Sequence, residues 1–317
     1  MECAMRQVTL GLALAGAVAT AVFAADSKDA HLQAAAAAAS QDLKGILSVC
    51  DPRTGQRTPP SVVASPEPAK VFDNLYFLGI ANVSAWALTT SDGIIVLDAL
   101  DNASEAQQYI EGGLRKLGLD PNQIKYVVVT HAHGDHYGGA QYLADKFHAH
   151  VVMSDIDWKV LEGPPRANYP AGWGQPPKRD VSVKDGDKLA LGDTMIEFYV
   201  TPPHTPGTIS VIMPLKDGNT RHVGGEWGGT AFNFAPTAQN FVTYAASAER
   251  FAKIARDKGV DVPLSNHSTY DNAFEKIAAL KMRRPGQPHP FVTGQESEQR
   301  YLKVAAECAK AMQVDAR

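Results

Sequence analysis

The run Thr130-His131-Ala132-His133-Gly134-Asp135-His136-Tyr137-Gly138-Gly139 decides the reading of this chain. His131, His133, Asp135 and His136 fall within six residues, directly after the apolar run Tyr126-Val127-Val128-Val129. A β-branched run reads as a buried strand, so these side chains leave its C-terminal end, where α/β sheets hold their ligands. Imidazole and carboxylate together suit zinc. Four such donors on one strand-to-helix turn can point in two directions and so can serve two metals. A lone histidine here would read as structural, but this spacing reads as a metal site.

Two further histidines have a ligand context. His204 lies in Thr201-Pro202-Pro203-His204-Thr205-Pro206-Gly207, just after an apolar strand ending at Val200. Flanking prolines at a strand end make a rigid, exposed ligand position. His267, in Leu264-Ser265-Asn266-His267-Ser268, follows the short apolar stretch from Val260. His31, His148, His150, His222 and His289 lack such a setting and read as surface or structural.

The chain has 317 residues, is 44% hydrophobic and carries a net charge of −4. That is enough for a large core and one or two domains, with nothing that points to nucleic acid or an anionic membrane. Residues 1–24 read as a secretory signal peptide, with Arg6, an apolar stretch from Val8 to Phe23 and a small-residue cleavage pattern at Val22-Phe23-Ala24. About 16 apolar residues are short for a membrane span. The mature protein is therefore expected to be soluble, without a membrane anchor, and exported to a bacterial periplasm or beyond. There Cys50 and Cys308 are expected to form a disulfide.

Residues 25–70 read as an irregular leader, although Ala34 to Ala39 could be helical. Alternation from Val71 onward gives strands near 74–79, 84–89 and 93–98, with a hairpin at Ser91-Asp92-Gly93. A helix is expected near 103–117, and strands near 151–153, 192–200 and 208–214. Helices are expected over 240–258, 271–283 and 296–312, the last within a C-terminal extension from 286 to 317. The irregular stretch from Gly163 to Pro177, with Tyr169 and Trp173, is long enough to be a lip over a substrate groove.

The His-X-His-X-Asp-His pattern and the Pro-X-His-Thr-Pro-Gly turn resemble the metallo-β-lactamase superfamily, over roughly residues 70–285. The resemblance implies an α/β fold, the αββα sandwich of two mixed β-sheets with flanking helices, in a domain spanning 71–285. It implies two Zn2+ per chain, one held by His131, His133 and His204, the other by Asp135, His136 and His267. Asp135 would also serve catalysis by orienting the nucleophile. Asp98, ending its strand as Val96-Leu97-Asp98, would accept a hydrogen bond from a ligand imidazole.

The segment after the third motif, His222-Val223-Gly224-Gly225-Glu226-Trp227-Gly228-Gly229-Thr230-Ala231-Phe232, has neither the bridging Asp of lactonases and glyoxalase-like hydrolases nor a Cys. In this it is similar to the third subclass of metallo-β-lactamases. Asp73 to Gly79 and Asp185 to Gly192 also resemble that subclass. Thr230 would then be the substitute for the Ser or Thr that holds the substrate carboxylate, while Glu226 could be an unusual bridging ligand. The expected activity is opening of the β-lactam ring of antibiotics by a zinc-bridging hydroxide. The alternatives are hydrolysis of a lactone or other ester, or a non-catalytic metal-binding module.

Overall fold

The structure, a computed structural model, describes residues 27–51, 65–164 and 170–316. The apolar N-terminal segment and Tyr169 lie outside the described residues. Two β-sheets form the centre. The first has seven strands in the order β1 (Ala69–Lys70), β2 (Leu75–Phe77), β3 (Trp86–Thr90), β4 (Gly93–Leu97), β5 (Ile124–Val128), β6 (His150–Ser154) and β7 (Val181–Val183). Strands β1 to β4 pair antiparallel, and β4 to β7 run parallel. The second sheet has five strands in the order β12 (Val262–Ser265), β11 (Thr220–Trp227), β10 (Ile209–Asp217), β9 (Thr194–Val200) and β8 (Lys188–Leu191). Only the β11–β12 pair in it is parallel.

Side chains alternate along each strand, and this assigns the layers. Trp86, Leu88, Ile95 and Leu97 of the first sheet meet Val211, Met213, Val262 and Leu264 of the second in a shared core. The opposite residues of the first sheet, Ala85, Ala87, Ile94 and Val96, pack with Ile110 and Leu114 of helix α2 (residues 103–116) and with Leu143 of helix α4 (Ala140–Phe147). Outside the second sheet, Ile212 and Trp227 pack against helices α6 (Ala238–Lys258) and α8 (Gln295–Asp315). The result is helix, sheet, sheet, helix, the αββα sandwich.

The described part of the leader is more regular than its composition suggests. Helix α1 (Lys28–Ala39) starts at Ser27, whose side chain accepts from Ala30 N, and a short helix follows at Lys44–Leu47. Ala35, Ala38 and Ala39 pack against α8 beside Val304, Ala305 and Ala309. A polyalanine face carries no hydrophobic periodicity, but alanine lets two helices approach closely, so the packing partner decides the helix. A Cys50–Cys308 disulfide joins this leader to α8, with the Cα atoms 4.6 Å apart. Helix α5 (Asp155–Glu162), inserted between β6 and β7, also has no clear sequence signal. Among the described residues no helix is long and apolar enough to cross a membrane.

Candidate metal centre

The strand directions gather the site. Strands β4 and β5 run parallel in one sheet, while β9, β11 and β12 share one direction in the other. Each of these strands ends in a loop that carries or touches a candidate ligand. After β5 the chain turns through His131 and His133 into the short helix α3 (Gly134–Tyr137), which presents Asp135 and His136. His204 follows β9, and His267 follows β12.

The six side chains form two groups, His131 with His133 and His204, and Asp135 with His136 and His267. Within each group the donor atoms lie within 4.8 Å of one another. His204 Nε2 is 3.0 Å from His131 Nε2 and 3.1 Å from His133 Nδ1. His136 Nε2 is 3.3 Å from His267 Nε2, and the Asp135 carboxylate lies 3.6 Å and 3.9 Å from those two nitrogens. His204 is 3% exposed, so the turn expected to display it encloses it instead.

The rings are held from behind. His131 Nδ1 donates to Gly228 O at 2.9 Å, His204 Nδ1 to Ala231 O at 2.6 Å, and His267 Nδ1 to Asn82 O at 2.6 Å. His136 Nδ1 donates to Asp98 Oδ2 at 2.7 Å. A carbonyl or carboxylate acceptor fixes the proton on Nδ1 and leaves the Nε2 lone pair facing the group. Buried lone pairs converging at about 3 Å have no favourable arrangement among themselves, and a cation placed between them resolves this. The donor set therefore fits two divalent ions of the zinc type.

Electrostatics agree with neutral ligands in the first group. Burial, reinforced by neighbouring histidines, holds His131 well below its usual pKa, and burial brings His204 down to about 4. Burial also opposes charge on His136, but the adjacent Asp98 and Asp135 carboxylates outweigh it and raise its pKa.

Asp98 is fully buried and adopts φ +60°, a left-handed conformation costing about 1–3 kcal/mol for a non-glycine residue. The conformation turns its carboxylate under the site, where it also accepts from Thr130 N at 2.7 Å and Thr130 Oγ1 at 2.9 Å. Gly228 can approach His131 only because it lacks Cβ, which would lie 1.8 Å from Ile209 O.

Three weaker sequence candidates sort differently. Glu226 joins neither donor group. On β11 it pairs with Val211 and Leu264, which face the core between the sheets, and it is fully buried there. Burial, then the charges of Asp98 and Asp271, push its pKa well above the carboxylate range. Thr230 is also fully buried, with its hydroxyl 3.1 Å from Ser265 Oγ.

Trp173 does reach the site, with its ring centroid 6.1 Å from that of His133. The indole occupies the space a side chain on Gly134 would need, 2.4 Å from that Cβ position. Gly174 N to Asp101 O and Asn102 Nδ2 to Gly172 O anchor the segment.

With this geometry in hand, comparison with known proteins places the chain. The profile described as the metallo-beta-lactamase superfamily matches residues 78–217. Over that stretch the chain resembles the metallo-β-lactamase superfamily. Among solved superfamily structures it is similar to BJP-1, a subclass B3 metallo-β-lactamase of Bradyrhizobium japonicum, at 26% identity and TM-score 0.64, covering 80% of this chain and 97% of that one. Native FEZ-1 of Legionella gormanii shares the fold at 23% identity and TM-score 0.65, over 75% and 92% of the two chains. Among curated relatives, the uncharacterised YobT of Bacillus subtilis is 27% identical over 150 residues, 45% of this chain and 61% of that one. A hydroxyacylglutathione hydrolase of Rhodopseudomonas palustris is 27% identical over 128 residues, 39% and 44% of the two chains. The match thus spans about half the length of these curated relatives.

The remaining histidines join no donor group, and His148 and His150 are exposed. His289 stacks on Phe72 at 4.1 Å and bonds Val71 O, His222 meets Asp261, and His31 meets Glu307. Sequence reading missed Asp157 and Asn266. Asn266 Nδ2 donates to Gly228 O at 2.6 Å, reinforcing the carbonyl that holds His131.

Proposed function

We propose that this protein is an exported di-zinc hydrolase that opens the β-lactam ring. The observation that carries this reading is the pair of donor triads, one of three histidines and one of Asp135, His136 and His267, with Glu226 in neither. The likeness to BJP-1 across nearly the whole of that chain supports it. His131, His133 and His204 would hold one ion, and Asp135, His136 and His267 the other. Bound there, zinc would supply a water-derived nucleophile at neutral pH and polarise a carbonyl group. Asp135, the one carboxylate among the donors, would help hold the second ion and orient its water. Trp173 forms a wall over which an apolar part of the substrate lies. The Cys50–Cys308 disulfide supports an oxidising compartment, and with it export.

A second reading is hydrolysis of a lactone, ester or thioester. The engagement of the buried Thr230 hydroxyl with Ser265 Oγ favours it, as does the likeness to a hydroxyacylglutathione hydrolase. The deciding experiment is turnover of a chromogenic cephalosporin, a lactone and a thioester by zinc-loaded mature protein, with and without chelator. Chelator-sensitive cephalosporin turnover supports the first reading. Turnover confined to the lactone or thioester replaces it with the second.

A further inference from the structure

We infer that Asp157, a residue with no place in the ligand pattern, is the positioning residue for the whole His131–His133–His204 triad. Asp157 sits in the first turn of α5, and its own amide is held by the capping Ser154 side chain at 3.0 Å. Its carboxylate is fully buried. Oδ2 accepts from Ala132 N at 2.9 Å and from the Thr205 hydroxyl. Oδ1 accepts from Gly207 N at 2.7 Å.

These donors come from the two loops that supply the triad. Ala132 lies between His131 and His133, and Thr205 follows His204. One rigid carboxylate thus sets the separation of the two loops, and the backbone bond from Ile209 N to Thr130 O at 2.8 Å fixes their relative rotation. Hydrogen bonds to a charged acceptor are about twice as strong as neutral ones. A buried carboxylate also needs such donors to remain charged, so loops and carboxylate hold each other. The close fit extends to Gly207, where a Cβ would lie 2.3 Å from Ser154 Oγ and 2.8 Å from Asp157 Oδ1. The other triad has a separate support, since Asp98 and the Asn82 carbonyl orient His136 and His267. Asp157 contacts only the first triad's loops, whereas Asp98 bonds His136 directly and reaches the first triad only through Thr130.

This inference rests on the reading of the triad as a metal site, and its test keeps the two apart. Asp157→Asn places an amide NH2 against groups that themselves donate. Thr205→Val removes only one donor and conserves shape, which keeps the question answerable should the first variant fold poorly. Zinc titration against a chromophoric chelator, with 15N-histidine spectra to identify the nitrogens that bind, should show first-triad affinity lowered roughly 10–100-fold in Asp157→Asn. The loss should be smaller in Thr205→Val, and His136 and His267 should keep their affinity. Hydrogen exchange at Ala132 and Gly207 in the metal-free protein should accelerate selectively in Asp157→Asn. Unchanged exchange at both amides, or an equal loss at both triads, overturns the positioning role. Absence of zinc binding by the wild-type protein overturns the metal reading instead, while the exchange data still decide the clamp.

Discussion

Replacing Asp98 with Asn tests the second triad most directly. Asn tolerates the left-handed backbone that Asp98 adopts at φ +60°, so the substitution changes charge and hydrogen bonding with little added strain. Asn can still accept from Thr130 N. At the position of Oδ2, however, an NH2 group would face His136 Nδ1–H, now 2.7 Å from a carboxylate oxygen. Two donors in contact are relieved when the imidazole proton moves to Nε2, the nitrogen that faces Asp135 and His267. A protonated Nε2 cannot bind a metal. Holding the productive tautomer against this preference costs about the worth of a hydrogen bond to a charged acceptor, roughly 1.5–3 kcal/mol. That range matches the 10–100-fold loss typical when a ligand's supporting carboxylate is removed, given about 1.4 kcal/mol per tenfold. Zinc competition against a chromophoric chelator should therefore resolve one site of nearly wild-type affinity and one weakened by that factor. Two sites of unchanged affinity would refute the argument that Asp98 sets the His136 tautomer.

Three further outcomes are expected. Trp173→Ala removes an aromatic contact of about 0.5–1.5 kcal/mol beside His133, so KM should rise roughly two- to twelvefold with kcat little altered; an unchanged KM removes Trp173 from the groove. Burial raises the Glu298 pKa to about 8 against Lys276, which lowers it, so the folded state keeps a proton that the unfolded chain has released. That contribution to stability falls as pH climbs from about 4.5 to 8, by at most ~1.4 kcal/mol per pH unit. Glu298→Gln should gain on the wild type in denaturation over that window, and a pH-independent difference would speak against a neutral Glu298. Finally, Cys308→Ser frees the leader from α8 and should cost about 2–4 kcal/mol, seen as a lower denaturant midpoint than that of the oxidised wild type.

Much of the site was legible because its donors are clustered in sequence. His131, His133, Asp135 and His136 occupy one turn, and the proline-bounded His204 and strand-end His267 each carry a local signal. Apolar runs likewise marked β3, β4 and β10, since each buries one face against helices and the other against the opposite sheet. Local pattern failed where a partner decides the structure. The alanines of α1 become a buried face only beside α8, and β11, with Gly224 and Gly225 before Glu226, is a strand because β10 and β12 flank it.

The sequence by itself determined which donor residues cluster and where most strands fall, because these follow from residue type and short-range period, and the layer order came from the resemblance those motifs carry. Tertiary structure decided what each group does. It buried Glu226 and Thr230, brought Trp173 over His133, and made Asp157, an ordinary helix-start acid in the linear chain, the link between two ligand loops. Those roles depend on contacts between segments about 25 to 50 residues apart or more, and hydrogen-bond acceptors over such distances leave no periodic trace in the chain.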